Sequence, residues 1–419
     1  MTNHFPNPAL AYLQPKITFG IPEFPVFHMR GGTSSGIVIW QRHLPNDEAL
    51  RDELIRQLMG VPLQGETKGN RQANGLGRGT PTSNKVFIVD IDPTRRLITS
   101  TLAQLAADKS AIDWSVNCGN MSAALPLYAL DTGLIAIDSA SGKPTFKVDI
   151  FNTNTNSQLS ANMQLNGHHN LIADTEIPGI DGAFPGVDLY LHAPVGAKTG
   201  ALLPTGQVVD HINGVDVSCV DVAVPMVIVA AVDLGKTGNE SPAELDADTT
   251  FKTRLRELWV AAGLKMGLKQ RSGELMSTVQ LAASETIPKI CMVSAPQHGG
   301  HISTRYFTPQ SAHSSLAVSG GCCLASACLI PGSVAQRIAS ATPAVSTHAV
   351  DTHTLYDIAI ENPAGILDTR IEANTTAGQV HILQAAYRRN AQILLRGTFP
   401  IYRASAALGD FFKANSPLT

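Results

Sequence analysis

What most constrains this chain is a rhythm of short β-branched runs broken by glycine, asparagine, aspartate and proline. "GIVIW", "NKVFIVDID", "TFKVDIFNT", "VDVSCVDVAVPMVIVAA", "GHISTRYF" and "QVHILQAAYRRNAQILLRGTFPIY" all follow it. Strand-length runs with turn signals between them imply a large proportion of antiparallel sheet. Two segments stand apart: "NCGNMSAALPLYALDTGL" and "SAHSSLAVSGGCCLASACLIPG", about 200 residues apart. Each begins with small polar residues and continues almost wholly apolar. A helix apolar all round has to be buried on every side. The expected class is therefore α+β: two similar domains, each a mostly antiparallel β-sheet wrapped around a central buried helix. We place the first domain at residues 1–200 and the second at 201–389. The crossover falls near "PTG" at 204–206, and a strand within 390–410 returns to the first domain.

Two more helices carry start signals. One runs from Asp47 to Met59 behind Asn46 as cap. The other starts at "SPAE", where Ser241 caps, Pro242 fits the first helical position and Glu244 completes a capping box. Its pattern continues through "FKTRLRELWVAAGLKMGL".

At 419 residues, 44% apolar and 16% charged, the chain is too long for one ordinary core and too apolar for disorder. Its net charge of −3 is spread without runs, which excludes a nucleic-acid footprint or a basic membrane stripe. The longest apolar stretch, "VAVPMVIVAAV", falls far short of a bilayer span, and the first residues lack a signal-peptide pattern. A cytoplasmic protein is expected. The six cysteines form no CxxC pair, which fits a reducing compartment. Cysteines and histidines never fall at zinc-ligand spacing, and the glycines of "HGGH" (His298, His301) indicate a turn, so no metal is expected.

The start of a buried helix offers unpaired N–H groups that stabilise anions and favour thiolate over thiol. Cys118 lies at the start of the first central helix. It can carry a proton to and from carbon, or serve as a small buried hydrophobe. Its neighbours Asn117, Gly119 and Asn120 are poor core residues and good helix-start residues. His313 opens the second central helix in the same way, as a carboxylate donor or a polar cap. Cys219, Cys291, Cys322, Cys323 and Cys328 read as core.

Residues 28–36, "HMRGGTSSG", read as a tight loop between strands that exposes backbone donors, hydroxyls and the Arg30 guanidinium. A second polar stretch, "GNRQANGLGRGTPTSNK" (69–85), contributes Arg71, Arg78 and Lys85. Its "GLGRG" lacks the spacing and following helix of a dinucleotide fingerprint. It is either a solvent-facing linker or, with the first loop, a set of donors suited to several carboxylates.

Together these pieces resemble the PrpF-like branch of the diaminopimelate-epimerase superfamily. That branch includes 2-methylaconitate isomerase, methylitaconate isomerase and 4-oxalomesaconate tautomerase. The residues that carry the resemblance are "MRGGTSSG" (29–36), "RQANGLG" with "TSNKV" (71–86), "NCGN" (117–120), "LLPTG" (202–206), "CVDVAVPMV" (219–227), "GKTGNESPAELDAD" (235–248), "KMGL" (265–268) and "RYFTPQSAHSSLAVSG" (305–320). They cover nearly the whole chain, and the stretch from "PKICMVSAPQ" to "ACLIPGSVAQ" looks most like the oxalomesaconate tautomerases.

The resemblance implies two domains of similar topology, a homodimer, and a cofactor-free isomerisation that moves a proton and a double bond in an unsaturated di- or tricarboxylate. In this family the first loop usually reads "MRGGTSKG", with its lysine the expected base. Here Ser35 takes that place, and Asn74 stands where aspartate is common. Cys118 and Ser35 are then the expected catalytic positions, Cys118 as the base with Lys85 or another group as the acid. Arg30, Gly32, Thr33, Ser34, Arg71, Lys85, Asn117, Gly119 and Asn120 would hold substrate, and His313 and Ser314 would match them from the second domain. The alternative is a non-catalytic polycarboxylate-binding or accessory protein on the same fold.

Overall fold

The computed structural model describes residues 14–79, 83–114, 117–137, 145–270, 272–284, 286–339, 345–350, 353–376 and 379–416. The chain divides into two compact units. One gathers Met1–Glu176, Ile180–Leu189 and Arg389–Thr419, and the other Ile177–Gly179 and Tyr190–Arg388. The fold is rich in sheet, mostly antiparallel, with helices packed on it. Among the described residues no helix is long and apolar enough to cross a membrane.

The first unit is built on a hairpin of Ile21–Gly31 and Ser34–Trp40. Helix Glu48–Met59 then crosses over, and strand Lys85–Asp92 returns parallel to Ser34–Trp40, with Ile37 opposite Val86. Strand Leu97–Leu105 pairs antiparallel with it. The crossover helix is capped by Asp47, not Asn46: the Asp47 carboxylate accepts the Leu50 N–H. Leu54, Ile55, Leu58 and Met59 pack on Val26, Ile37, Ile39, Val86 and Ile88, one face of the sheet. On the other face lies Ala124–Asp131, whose residues up to Ala129 are all buried, with the Tyr128 ring edge-on to Phe27 at 4.8 Å. The return strand Gln379–Pro400 pairs with Ile21–Gly31 from Ala391 onward.

In the second unit, hairpin Val215–Val222 and Val224–Ala230 is followed by helices and then by Lys289–Ser294, parallel to Val224–Ala230 with Val227 opposite Ile290. The capping box at Ser241 and Glu244 is present, but its helix stops at Ala247. Asp248 caps a new one, Thr249–Lys265. An aspartate whose carboxylate satisfies the Phe251 N–H starts a helix more readily than it continues one. Leu255, Leu258 and Trp259 of this helix pack on Val227, Val229, Ile290 and Met292. Strand Ile302–Thr308 runs antiparallel to Lys289–Ser294, and helix Val318–Leu329 is buried from Gly320 to Cys328.

Candidate active site

The first polar loop is much shorter than its composition indicates. His28, Met29 and Arg30 are strand residues, as are Ser34 and Ser35, which leaves a two-residue turn of Gly32 and Thr33. Gly32 has φ of 52°, which suits the first position of such a turn. The two glycines also let the turn lie against the segment after Cys118. A Cβ on Gly31 would overlap the Asn120 carbonyl oxygen and sit 2.9 Å from Met121 Cα, and one on Gly32 would sit 2.5 Å from Asn120 Oδ1.

Strand alternation then sorts the serines. Side chains of successive strand residues point to opposite faces. Gly31 and Ser34 are paired and share the face that meets Asn120 and Met121. Arg30 and Ser35 are paired one step away and share the face of Ile37, in the outer cluster. Ser35, expected to be a catalytic position with Cys118, therefore points to the opposite face. Arg30 is also turned from its expected role. It is buried, donates to the Gly32 carbonyl (2.9 Å) and Asn390 Oδ1 (2.6 Å), and lies over the Phe184 ring. It braces the turn from behind.

Cys118 is the N-cap of the short helix Gly119–Ser122, which Ala123 joins to Ala124–Asp131. Half-buried, it has its Sγ 3.8 Å from Ser34 Oγ, within reach of a long thiol hydrogen bond. Its amide donates to Asn117 Oδ1 at 2.7 Å, and its carbonyl accepts the Ser122 hydroxyl at 3.1 Å. Asn120 ties the turn to the helix: Nδ2 donates to Thr33 Oγ1 at 3.2 Å, and Oδ1 accepts from Arg389 Nε at 2.9 Å. Buried Arg389 was not foreseen, and a strand arginine about 270 residues downstream carries no local signal.

Lys85 completes this arrangement. It opens its strand on the same face as Gly36, where a Cβ would come 2.6 Å from the Lys85 carbonyl oxygen. Burial pulls its pKa below the ordinary lysine value, and the charge of Cys118 pushes back up. Strand alternation places Lys85 on the face that carries Ser34, the neighbour of Cys118. Lys85 is held by a built loop. Asn84 and Gln72 are buried and bonded at 3.0 Å, Gln72 Nε2 donates to Met59 O, and Asn84 Oδ1 accepts the Arg78 N–H. The second polar stretch is thus more than a linker, though residues 80–82 lie outside the described ones. Arg71 and Asn74 are exposed.

In the second unit His313 does not open the helix. Helix Val318–Leu329 begins five residues later, with Ala317 as N-cap. The small polar run that resembles a helix start is a turn, in which His313 Nδ1 accepts the Ser315 N–H at 2.9 Å. Ser314 is exposed.

Comparison with known proteins adds a second line of evidence. The family model for PrpF protein matches residues 22–402. The chain is 36% identical over 348 residues to the 4-oxalomesaconate tautomerase of Pseudomonas putida, covering 83% of this chain and 88% of that one. It is 32% identical over 375 residues to the (4E)-oxalomesaconate Delta-isomerase of Novosphingobium, covering 89% and 96%. The crystal structure of methylitaconate-delta-isomerase superposes with a TM-score of 0.75 at 26% identity, covering 92% of this chain and 98% of that one.

Proposed function

The chain belongs to the PrpF family and is an isomerase, and on that premise we propose that Lys85 and Cys118 move a proton, and with it a double bond, within an unsaturated di- or tricarboxylate. One group removes a proton from the saturated carbon next to the double bond. The electron pair spreads through the double bond into a carboxyl or keto group, and the other group protonates the carbon two positions away. Substrate and product are isomers, so no electrons enter or leave and side chains alone suffice, without a cofactor.

The observation that carries this reading is the pairing of a buried lysine with a half-buried thiol. Burial favours the neutral amine, which can accept a proton from carbon; the thiol supplies one, and a thiolate left behind is stabilised by the resulting ammonium. Ser34, at 3.8 Å from the sulfur, orients it. Thr33, exposed at the turn tip and fixed by Asn120, is placed to donate to a carboxylate or developing enolate. The departure at Ser35 then costs nothing essential, because Lys85 supplies the amine base from the neighbouring strand.

The substrate reading rests on the relatives, two of which are named for oxalomesaconate and one for methylitaconate. A reducing cytoplasm is part of the same proposal, supported by six free cysteines, five of them buried; a homodimer is proposed on the family resemblance alone. A duplicated plan belongs to the proposal as well, since each unit runs hairpin, crossover helix, parallel strand and buried helix.

The test is proton NMR in D₂O with oxalomesaconate, methylaconitate, aconitate and methylitaconate. Deuterium at an allylic carbon, with migration of the double bond, is the expected result. Absence of exchange across the panel refutes the proposal.

A further inference from the structure

The two-residue turn of Gly32 and Thr33 is held by Asn390, which takes no part in the chemistry above. Asn390 lies in strand Gln379–Pro400 and is fully buried. Its carbonyl accepts the Gly32 N–H at 2.9 Å. Its side chain is engaged at both ends: Oδ1 accepts from Arg30 Nη1 at 2.6 Å, and Nδ2 donates to the Thr175 carbonyl at 2.7 Å. The same Arg30 Nη1 donates to the Gly32 carbonyl at 2.9 Å. Gly32 is therefore gripped at both its N–H and its C=O, and Asn390 stands behind each bond.

Two-residue hairpin turns take two common forms, which differ in the way the central peptide is turned. Here that peptide joins the Gly32 C=O to the Thr33 N–H. Gly32 has a φ of 52°, and Thr33 is not among the residues with positive φ. Positive φ at the first position alone is the type II′ form; the other form needs it at both, which a β-branched residue resists. Arg30 shares the outer face of the sheet with Ile37, so its bond turns the Gly32 carbonyl outward. In a planar trans peptide the N–H points opposite to the C=O. The Thr33 N–H therefore points to the inner face, where Ser34 and Cys118 lie. It donates to no group among the described residues.

We propose that Asn390 is a positioning residue of the isomerisation. By fixing the Gly32–Thr33 peptide it aims the Thr33 N–H at the oxygen on which negative charge collects as the substrate loses its proton. The assignment rests on the isomerase reading for the reaction. A donor aimed in advance at a developing oxyanion lowers the barrier without tightening ground-state binding, so loss of its alignment is read in kcat and not in KM. The opposite orientation of the peptide would present a carbonyl oxygen to the same charge. Two buried bonds to the Gly32 peptide groups, one of them from a guanidinium, hold it off.

The test is the rate of double-bond migration with whichever of oxalomesaconate, methylaconitate, aconitate and methylitaconate the protein turns over. Thr33→Pro removes the N–H and keeps a negative φ, which the second position of this turn accepts; Thr33→Ala removes only the hydroxyl and is the reference. Thr33→Pro is expected to lower kcat about 10²–10³-fold below Thr33→Ala, with KM within about threefold. Asn390→Leu is expected to lower kcat at least tenfold in the wild-type background and to have no further effect on kcat in Thr33→Pro, because it acts through that N–H. Arg30→Met breaks the same grip from its other side and is expected to repeat the pattern, which keeps the proposal refutable if Asn390→Leu folds poorly. An asparagine that only stabilised the fold would lower the urea midpoint and slow both backgrounds alike. Equal kcat for Thr33→Pro and Thr33→Ala overturns the proposal, as does an Asn390→Leu or Arg30→Met loss of the same size in both backgrounds. Lys85→Met and Cys118→Ser separate the two claims. Migration lost in these, with equal rates for the two Thr33 variants, leaves the proton carriers standing and removes this donor; a Thr33→Pro deficit with full migration in these does the reverse. No exchange by wild type across the panel overturns both.

Discussion

Replacing Gly31 by alanine tests whether the close approach of the turn to the Cys118 segment builds the site. The new methyl carbon would lie 2.9 Å from Met121 Cα and 3.1 Å from the Ala124 nitrogen, and would overlap the Asn120 carbonyl oxygen. Carbon atoms in ordinary contact sit about 3.5–4.0 Å apart, so the deficit at Met121 alone is roughly 0.6 Å. All the opposing atoms are backbone and cannot rotate aside. The turn and the helix start must separate by about 1 Å, a misplacement that costs roughly 10²-fold in rate. Overpacking of this kind also costs about 1–3 kcal/mol of stability. The φ of Gly31 is not in the left-handed region, so the effect is purely steric. Gly397→Ala is the control, since nothing lies within 4 Å of its Cβ position. The assay is the NMR isomerisation rate with a urea titration of each variant. A Gly31→Ala protein with wild-type turnover would refute the reasoning.

Cys118→Ser is expected to cut turnover about 10²–10⁴-fold with the urea midpoint retained, the range for loss of a general acid or base. Ser34→Ala is expected to lower turnover clearly, whereas Ser35→Ala stays within about threefold; equal effects in kinetic assays would contradict the sorting of the serines by sheet face. Arg389→Gln leaves Asn120 and Thr33 less well fixed, and should raise KM for the carboxylate substrate and lower kcat together. Buried His28 and His43 are held neutral, each with its pKa lowered to about 4, His28 by burial and the Arg78 charge and His43 by burial alone. Between the unfolded value near 6.5 and about 4 the unfolded chain binds more protons, so stability is full above that window and falls as pH drops through it, by up to about 3 kcal/mol per histidine. Urea titrations between pH 7.5 and 5 should show this slope, and His43→Phe should flatten it.

The strands were readable because β-branched runs and turn residues alternate locally, and the buried helices because nothing polar interrupts them. The place of Cys118 at a helix start was readable because Asn117, Gly119 and Asn120 around it are good helix-start residues. The faces of Ser34 and Ser35 were not readable. A glycine- and serine-rich stretch looks like loop, and a loop has no alternation to assign faces from. Only the pairing of Arg30 with Ser35 and of Gly31 with Ser34 supplies it. Arg389 escaped notice for a different reason. It reaches Asn120 across a long stretch of chain, and no local pattern encodes that. The break at Asp248 was readable in principle, as an N-cap signal inside an apparent helix.

The central claim is that Lys85 and Cys118 together carry the proton. It is tested most directly by following position-resolved deuterium incorporation in D₂O for wild type, Lys85→Met and Cys118→Ser with the same unsaturated polycarboxylate. In wild type, deuterium should appear at the carbon that gains a proton as the double bond migrates. Migration should be lost in both variants, while each retains the wild-type urea midpoint. Double-bond migration at the wild-type rate in either folded variant would contradict the account.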